Sequence, residues 1–103
     1  MLRSMGQRRV ADSGEDPRVT ELSAAVARLR RQLACYPADF ADRGIAEDEL
    51  AALAAMILTG VPEVRRLRRS LLLVAGATGS VSALRAALAD VRAAVELFGE
   101  QPR

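Results

Sequence analysis

The fifteen basic residues of this 103-residue chain are all arginine, and most of them are clustered. Arg65-Arg66-x-Arg68-Arg69 is the densest group, and Arg28, Arg30 and Arg31 form a second. Planar guanidinium groups at this density suit phosphate oxygens, on nucleic acid or on an anionic membrane surface. The same residues equally suit the solvent face of a helix that pairs with acidic neighbours. Five carboxylates, Asp39, Asp42, Glu47, Asp48 and Glu49, supply such neighbours. Their spacing is not that of a calcium-binding loop, so a solvated face or a charge partner is the plainer role for them. Cys35, the single thiol, follows Arg31 by four residues, and a nearby cation favours the reactive thiolate. A small, partly buried filler is the alternative role.

Absences close the remaining routes. The chain contains no His, Lys, Trp or Asn. Without His and with one Cys, it cannot build a zinc, haem-histidine or multi-cysteine iron–sulfur site from one copy. A Ser or Cys nucleophile lacks its usual base. Gly76-Ala77-Thr78-Gly79-Ser80 lacks the lysine of a phosphate-binding P-loop and follows a helical pattern rather than a strand. It reads as a small-residue hinge. The sequence therefore predicts no catalytic residue, no cofactor, no metal site and no enzyme. Coding bias in a GC-rich genome would by itself give an Arg-only composition with alanine at 20 of 103 positions.

These residues need helices to position them. Half of the chain is hydrophobic but only 3% is aromatic, so Leu, Val and Ala must form the core. Leu and Ala favour helix. A first helix begins at Asp16-Pro17, a capping residue followed by proline in the first turn. Val19, Leu22, Val26, Leu29, Leu33 and Tyr36 follow at spacings 3, 4, 3, 4, 3, the seam of a coiled coil, and Pro37 ends it. A second helix starts between Asp39 and Ile45, carries Ala46, Leu50, Leu53 and Ile57 on one face, and stops at Thr59-Gly60. A third opens at Pro62-Glu63 with Val64, Leu67, Leu71 and Val74 on one face. Leu72 and Leu73 fall outside that face, so Leu71 to Ala75 is expected to be sandwiched, centrally in a bundle or under a second subunit. A fourth helix repeats the seam in Val81, Leu84, Leu88, Val91, Val95 and Phe98, with a cap from Ser80 or Ser82 and an end at Gly99.

The predicted fold is thus all-α, an antiparallel helical bundle of about four helices with coiled-coil-like seams. One domain spans residues 16–99, between a disordered tail at 1–15 and a short C-terminal tail at 100–103. The lone cysteine and the lack of an apolar leader segment at Met1–Gly6 fit a soluble cytoplasmic protein. The fifteen weakly polar residues from Ser70 to Leu84 fall short of the roughly twenty that cross a membrane.

Charge is uneven over this frame. Pro17 to Tyr36 carries four Arg against Glu21, net +3; Pro37 to Gly60 carries five carboxylates against Arg43, net −4; Pro62 to Gly79 is again +3. Basic, acidic and basic helices would alternate, and adjacent helices would pair.

Three stretches resemble a known group: Tyr36-Pro37-Ala38-Asp39-Phe40, Glu47-Asp48-Glu49-Leu50-Ala51-Ala52-Leu53, and Val61-Pro62-Glu63-Val64 through Ser70-Leu71. They are similar to small helical proteins of unknown function frequent in high-GC actinomycetes. The resemblance covers residues 16 to 101 or so, implies an all-α fold, and brings no activity or residue roles with it.

The expected function is a non-catalytic helical interaction module that self-associates as a dimer. Candidate contacts between copies are Leu22, Val26, Leu29, Leu33, Leu72 and Leu73. The alternative is an Arg-mediated binder of nucleic acid or an anionic membrane surface through Arg65, Arg66, Arg68 and Arg69. It comes second because the arginines lack aromatic interleaving and acidic helix two offsets their field.

Overall fold

The computed structural model describes residues 16–60 and 62–99. The predicted tails at 1–15 and 100–103 lie outside the described residues.

Helix α1 runs from Pro17 to Cys35. Asp16 caps it by accepting the Arg18 amide at 2.9 Å, so one orphan donor of the first turn is satisfied. Tyr36, ahead of Pro37, is extended as a residue before proline must be, and the helix ends there. Helix α2 spans Arg43–Leu58, inside the predicted window for its start. Gly60 ends it with φ +88°, a backbone region that other residues enter at a cost. The Thr59 hydroxyl donates to the Met56 carbonyl at 2.6 Å and satisfies part of the last turn.

Helix α3, Val64–Thr78, continues through Gly76, contrary to the expected hinge at Gly76–Ser80. Burial of Ala77 and Thr78 accounts for this, since helix geometry is what places both inside. The Thr78 hydroxyl finds its partner within the helix, donating to the Val74 carbonyl at 2.8 Å. The reversal is therefore confined to a short turn after Thr78. A single 3₁₀ turn, Ser82–Leu84, leads into α4, Arg85–Gly99. Neither Ser80 nor Ser82 makes the expected capping bond; backbone bonds Val81 N to Thr78 O and Leu84 N to Val81 O shape the entry instead.

Each helix packs on its neighbours in sequence, and α1 and α4 close the ring. Cross-helix contacts give the directions. Arg18 lies over the Phe98 ring and Arg28 pairs with Asp90, so α1 and α4 are antiparallel. A groove between α1 and α2 sets Leu33 beside Leu50, and another sets Val26 beside Ile57, so these helices are antiparallel too. Both seams are internal: Leu22, Val26, Leu29 and Leu33 on α1, and Val81 through Phe98 at the other end of the chain, are buried. With Phe98 the one aromatic in the buried set, the remaining volume is Leu, Val, Ala and Ile.

One polar residue ties the first connection down. Arg43, at the start of α2, donates to the Leu33 carbonyl at 2.6 Å and the Ala38 carbonyl at 2.9 Å. It also meets Glu47 at 3.2 Å and covers the Phe40 ring, which stands edge-on to Tyr36. Its side chain is 18% exposed. One guanidinium thus adds a second donor to the Leu33 carbonyl, which also accepts the Tyr36 amide at 3.2 Å, and fixes the loop to α2. Lysine could not reproduce this fork. Arg43→Ala is expected to lower stability by about 2 kcal/mol, read as a lower urea midpoint with an unchanged slope. Arg43→Lys should recover only a minor part of the loss.

Candidate functional site

The structure separates the six apolar residues expected at a contact between copies. Leu22, Val26, Leu29 and Leu33 are fully or almost fully buried in the bundle and offer no surface to a second chain. The expectation fails for these four because α2 and α4 take up the α1 seam from either side. Leu72 and Leu73 lie outside, 73% and 44% exposed. The middle of α3 is not sandwiched within its own bundle. Its main neighbours among the described residues are α2 and α4, which leaves about a third of its circumference exposed.

That open third can be mapped. The guanidinium of Arg68 lies so close over Gly99 that a Cβ there would collide with it, so the Arg68 flank of α3 faces α4. At about 100° per residue, Leu73 and Arg66 then fall on the α2 side. Arg65, Arg69, Leu72 and Gly76 form the outermost stripe, and all four are exposed. On α2, Glu47, Ala54 and Leu58 line the grooves shared with α1. By the same period Ile45, Glu49 and Ala52 belong to the α3 side, and Asp48, Ala51 and Ala55 are outermost and exposed. The connection between these two helices is five residues long, so the start of α2 lies beside the end of α3.

The four arginines of α3 do not act as one group. Arg68 reaches the C-terminal end of α4, where unsatisfied carbonyls and the helix dipole favour a cation. Arg65 lines a surface hollow with it, next to Glu63. Among the described residues, three ion pairs form: Arg18–Asp16, Arg28–Asp90 and Arg43–Glu47. None joins the acids of α2 to an arginine of α1 or α3, so the expected pairing of alternating helices does not occur. Alternation along the sequence sets the net charge of a helix, not the flank that carries it, and Asp48 points away from both neighbours.

The Arg18–Asp16 pair lies at the same end of the bundle as Arg68, since Arg18 covers Phe98 and Arg68 meets Gly99. Arg18 Nη2 donates to Asp16 Oδ2 at 2.7 Å, and this bond holds the Asp16 carboxyl below its ordinary range. The two are two residues apart and belong to the α1 cap. Cys35 is exposed at the end of α1. Among the described residues no three Cys, Asp or Glu converge as metal ligands, and no helix is long and apolar enough to cross a membrane. Sequence reasoning missed Arg43, which it counted only as a charge. Its place at the predicted start of a helix, just after an aromatic and an acid, was the available signal.

A family model described as "Family of unknown function (DUF5955)" matches residues 11–99. No curated protein and no solved structure matches the chain.

Inner and outer leucines should respond differently to charge. Leu22→Glu places a carboxylate at a fully enclosed position and should abolish cooperative folding. Leu72→Glu should leave the helical circular-dichroism signal and the melting midpoint close to wild type. Equal damage from both would contradict the placement of Leu72 on the outer face.

Proposed function

We propose that this chain, which belongs to the DUF5955 family of unknown function, is a non-catalytic helical interaction module that associates with a second copy of itself. The observation that carries this reading is the pair Leu72 and Leu73, adjacent and exposed midway along α3. Single exposed leucines are ordinary on protein surfaces. Here two lie together, with exposed Ala51, Ala52 and Ala55 on the adjoining helix. A chain of this length has a modest core, and covering such a face against a second copy adds burial that the monomer lacks.

The groove between α1 and α4 is shallow, with Ala24, Ala25, Ala93 and Ala94 in its lining beside Glu21, Arg28 and Asp90. Arg28 and Asp90 pair with each other there.

Light scattering coupled to gel filtration tests the reading directly. At a concentration of about 100 µM the expected mass is twice the 11.0 kDa of one chain, moving toward one chain on dilution. A single-chain mass at that concentration would remove self-association.

A second reading has its own support in the lack of ion-pair partners for Arg65, Arg66 and Arg69 among the described residues. It takes the α3 arginines as contacts to nucleic acid or an anionic membrane. It predicts binding to a DNA duplex or to phosphatidylserine vesicles that weakens steeply with salt. Replacing Arg65, Arg66, Arg68 and Arg69 by Gln should abolish it, and no binding at low ionic strength would exclude it.

A further inference from the structure

The flank of α3 that faces α4 continues across both helices as a basic surface. Arg68, lying over Gly99, marks that flank. Leu72 follows Arg68 by four residues and Arg65 precedes it by three, so all three share one side of α3. On α4, Arg92 stands seven residues, two turns, before Gly99 and therefore on the side toward α3. Arg85, seven residues earlier again, continues the row. The two helices are antiparallel, since a short connection joins the end of α3 to the start of α4 while Arg68 meets the opposite end of α4. Counted at about 1.5 Å per residue from the connection or from Gly99, Arg92 comes level with Leu72 to within a turn. Leu72, 73% exposed, thus stands among Arg65, Arg68 and Arg92. Against the four arginines the face sets Glu96 and, at the start of α3, Glu63. Among the described residues, none of the four forms an ion pair. The acidic helix α2 lies on the other flank of α3.

We propose that this α3–α4 face lies on an anionic phospholipid bilayer, with Leu72 entering the boundary between headgroups and acyl chains. Arg65, Arg68, Arg85 and Arg92 then meet the lipid phosphates and carboxylates above it. Long basic side chains around an apolar one suit that boundary, because their stems lie in the apolar layer while the guanidinium groups stay wet. A nucleic-acid duplex offers phosphates but no apolar layer on its outside to receive Leu72. The inference rests on the second reading above and narrows it. The contact belongs to α3 and α4 together, and it leaves out Arg66 and Leu73, which stand on the α2 side. Turning the molecule toward α2 would instead bring Asp48 and Glu49 to a negative surface. A second copy seated on Leu72 would cover the same face, so lipid and self-association compete for it.

Co-sedimentation at low salt with vesicles of phosphatidylserine and phosphatidylcholine tests the face, with pure phosphatidylcholine vesicles as the control. The wild type should bind the anionic vesicles and be released as salt rises. Arg92→Gln should weaken binding about fivefold, the contribution of one cation at such a surface. Arg66→Gln should change it by less than about twofold, since that side chain is held away from the surface by the width of a helix. The chain contains no tryptophan, so an introduced one reports alone. Leu72→Trp should shift its emission to the blue on anionic vesicles and become shielded from acrylamide. Leu73→Trp should do neither. Both positions are exposed, and circular dichroism checks that each variant is folded.

Vesicle binding that Arg66→Gln weakens as much as Arg92→Gln would overturn the α3–α4 face and leave the arginine reading standing. An equal blue shift from Leu73→Trp would do the same. Binding to a DNA duplex but not to anionic vesicles would overturn the bilayer as the occupant. A wild type that binds neither at low ionic strength would overturn this inference and the reading beneath it.

Discussion

Closure of α1 on α4 is the contact on which the rest of the molecule depends. It joins the two ends of the sequence, and it is the one major helix pairing that a short connection does not impose. Without it the chain would be a run of helical hairpins, each with an open apolar seam. Arg18 over Phe98 and Arg28 on Asp90 set its antiparallel sense, and the bidentate grip of Arg18 on Asp16 links the α1 cap to that end of α4. Such a contact must overcome the entropy of closing the whole chain, which only continuous burial along both seams can supply. The consequence for function follows at once. Seams used to close the ring are enclosed, and the large apolar residues left outside are Ile45 and Leu58 on α2, Leu72 and Leu73 on α3, and Leu97 on α4.

The arginines illustrate how far context separates identical side chains. Arg43 is mostly enclosed, bonded to two carbonyls and a carboxylate, and works as a clamp between α1 and α2. Arg68 lies over the end of α4, where the dipole of that helix draws it. Arg65 and Arg69 share the outermost stripe of α3 with Leu72. As residue types in a cluster, Arg65, Arg68 and Arg69 invited the same phosphate-binding interpretation, while Arg43 read only as a charge. Their neighbours place them in three different settings, and the last group lies on the exposed outer stripe.

Much of the fold was legible in the residues. The Asp16-Pro17 start, the Pro37 stop and the Thr59-Gly60 stop are local signals, because each acts on the backbone within one turn of itself. The two seams were legible for a similar reason: spacings of three and four put residues on one face of any helix. The same logic could not say which neighbour would cover a face. Leu22 and Leu72 both read as apolar contacts, yet one is enclosed and the other bare. The hinge at Gly76 also read plausibly, since glycine weakens a helix, but burial of Ala77 and Thr78 outweighs a local preference of about 1 kcal/mol.

The sequence by itself determined that this protein is a bundle of four helices held by Leu, Val and Ala. It also ruled out chemistry that needs His or Lys. Those conclusions rest on residue type and on spacing within a single turn, and neither depends on what lies far along the chain. Tertiary structure alone decided which apolar residues remain outside, which arginines have partners, and that no acid of α2 pairs with an arginine of α1 or α3 among the described residues. Those outcomes depend on how each helix is rotated about its axis when the ring closes. That rotation is set jointly by every seam in the bundle, so no single segment contains it.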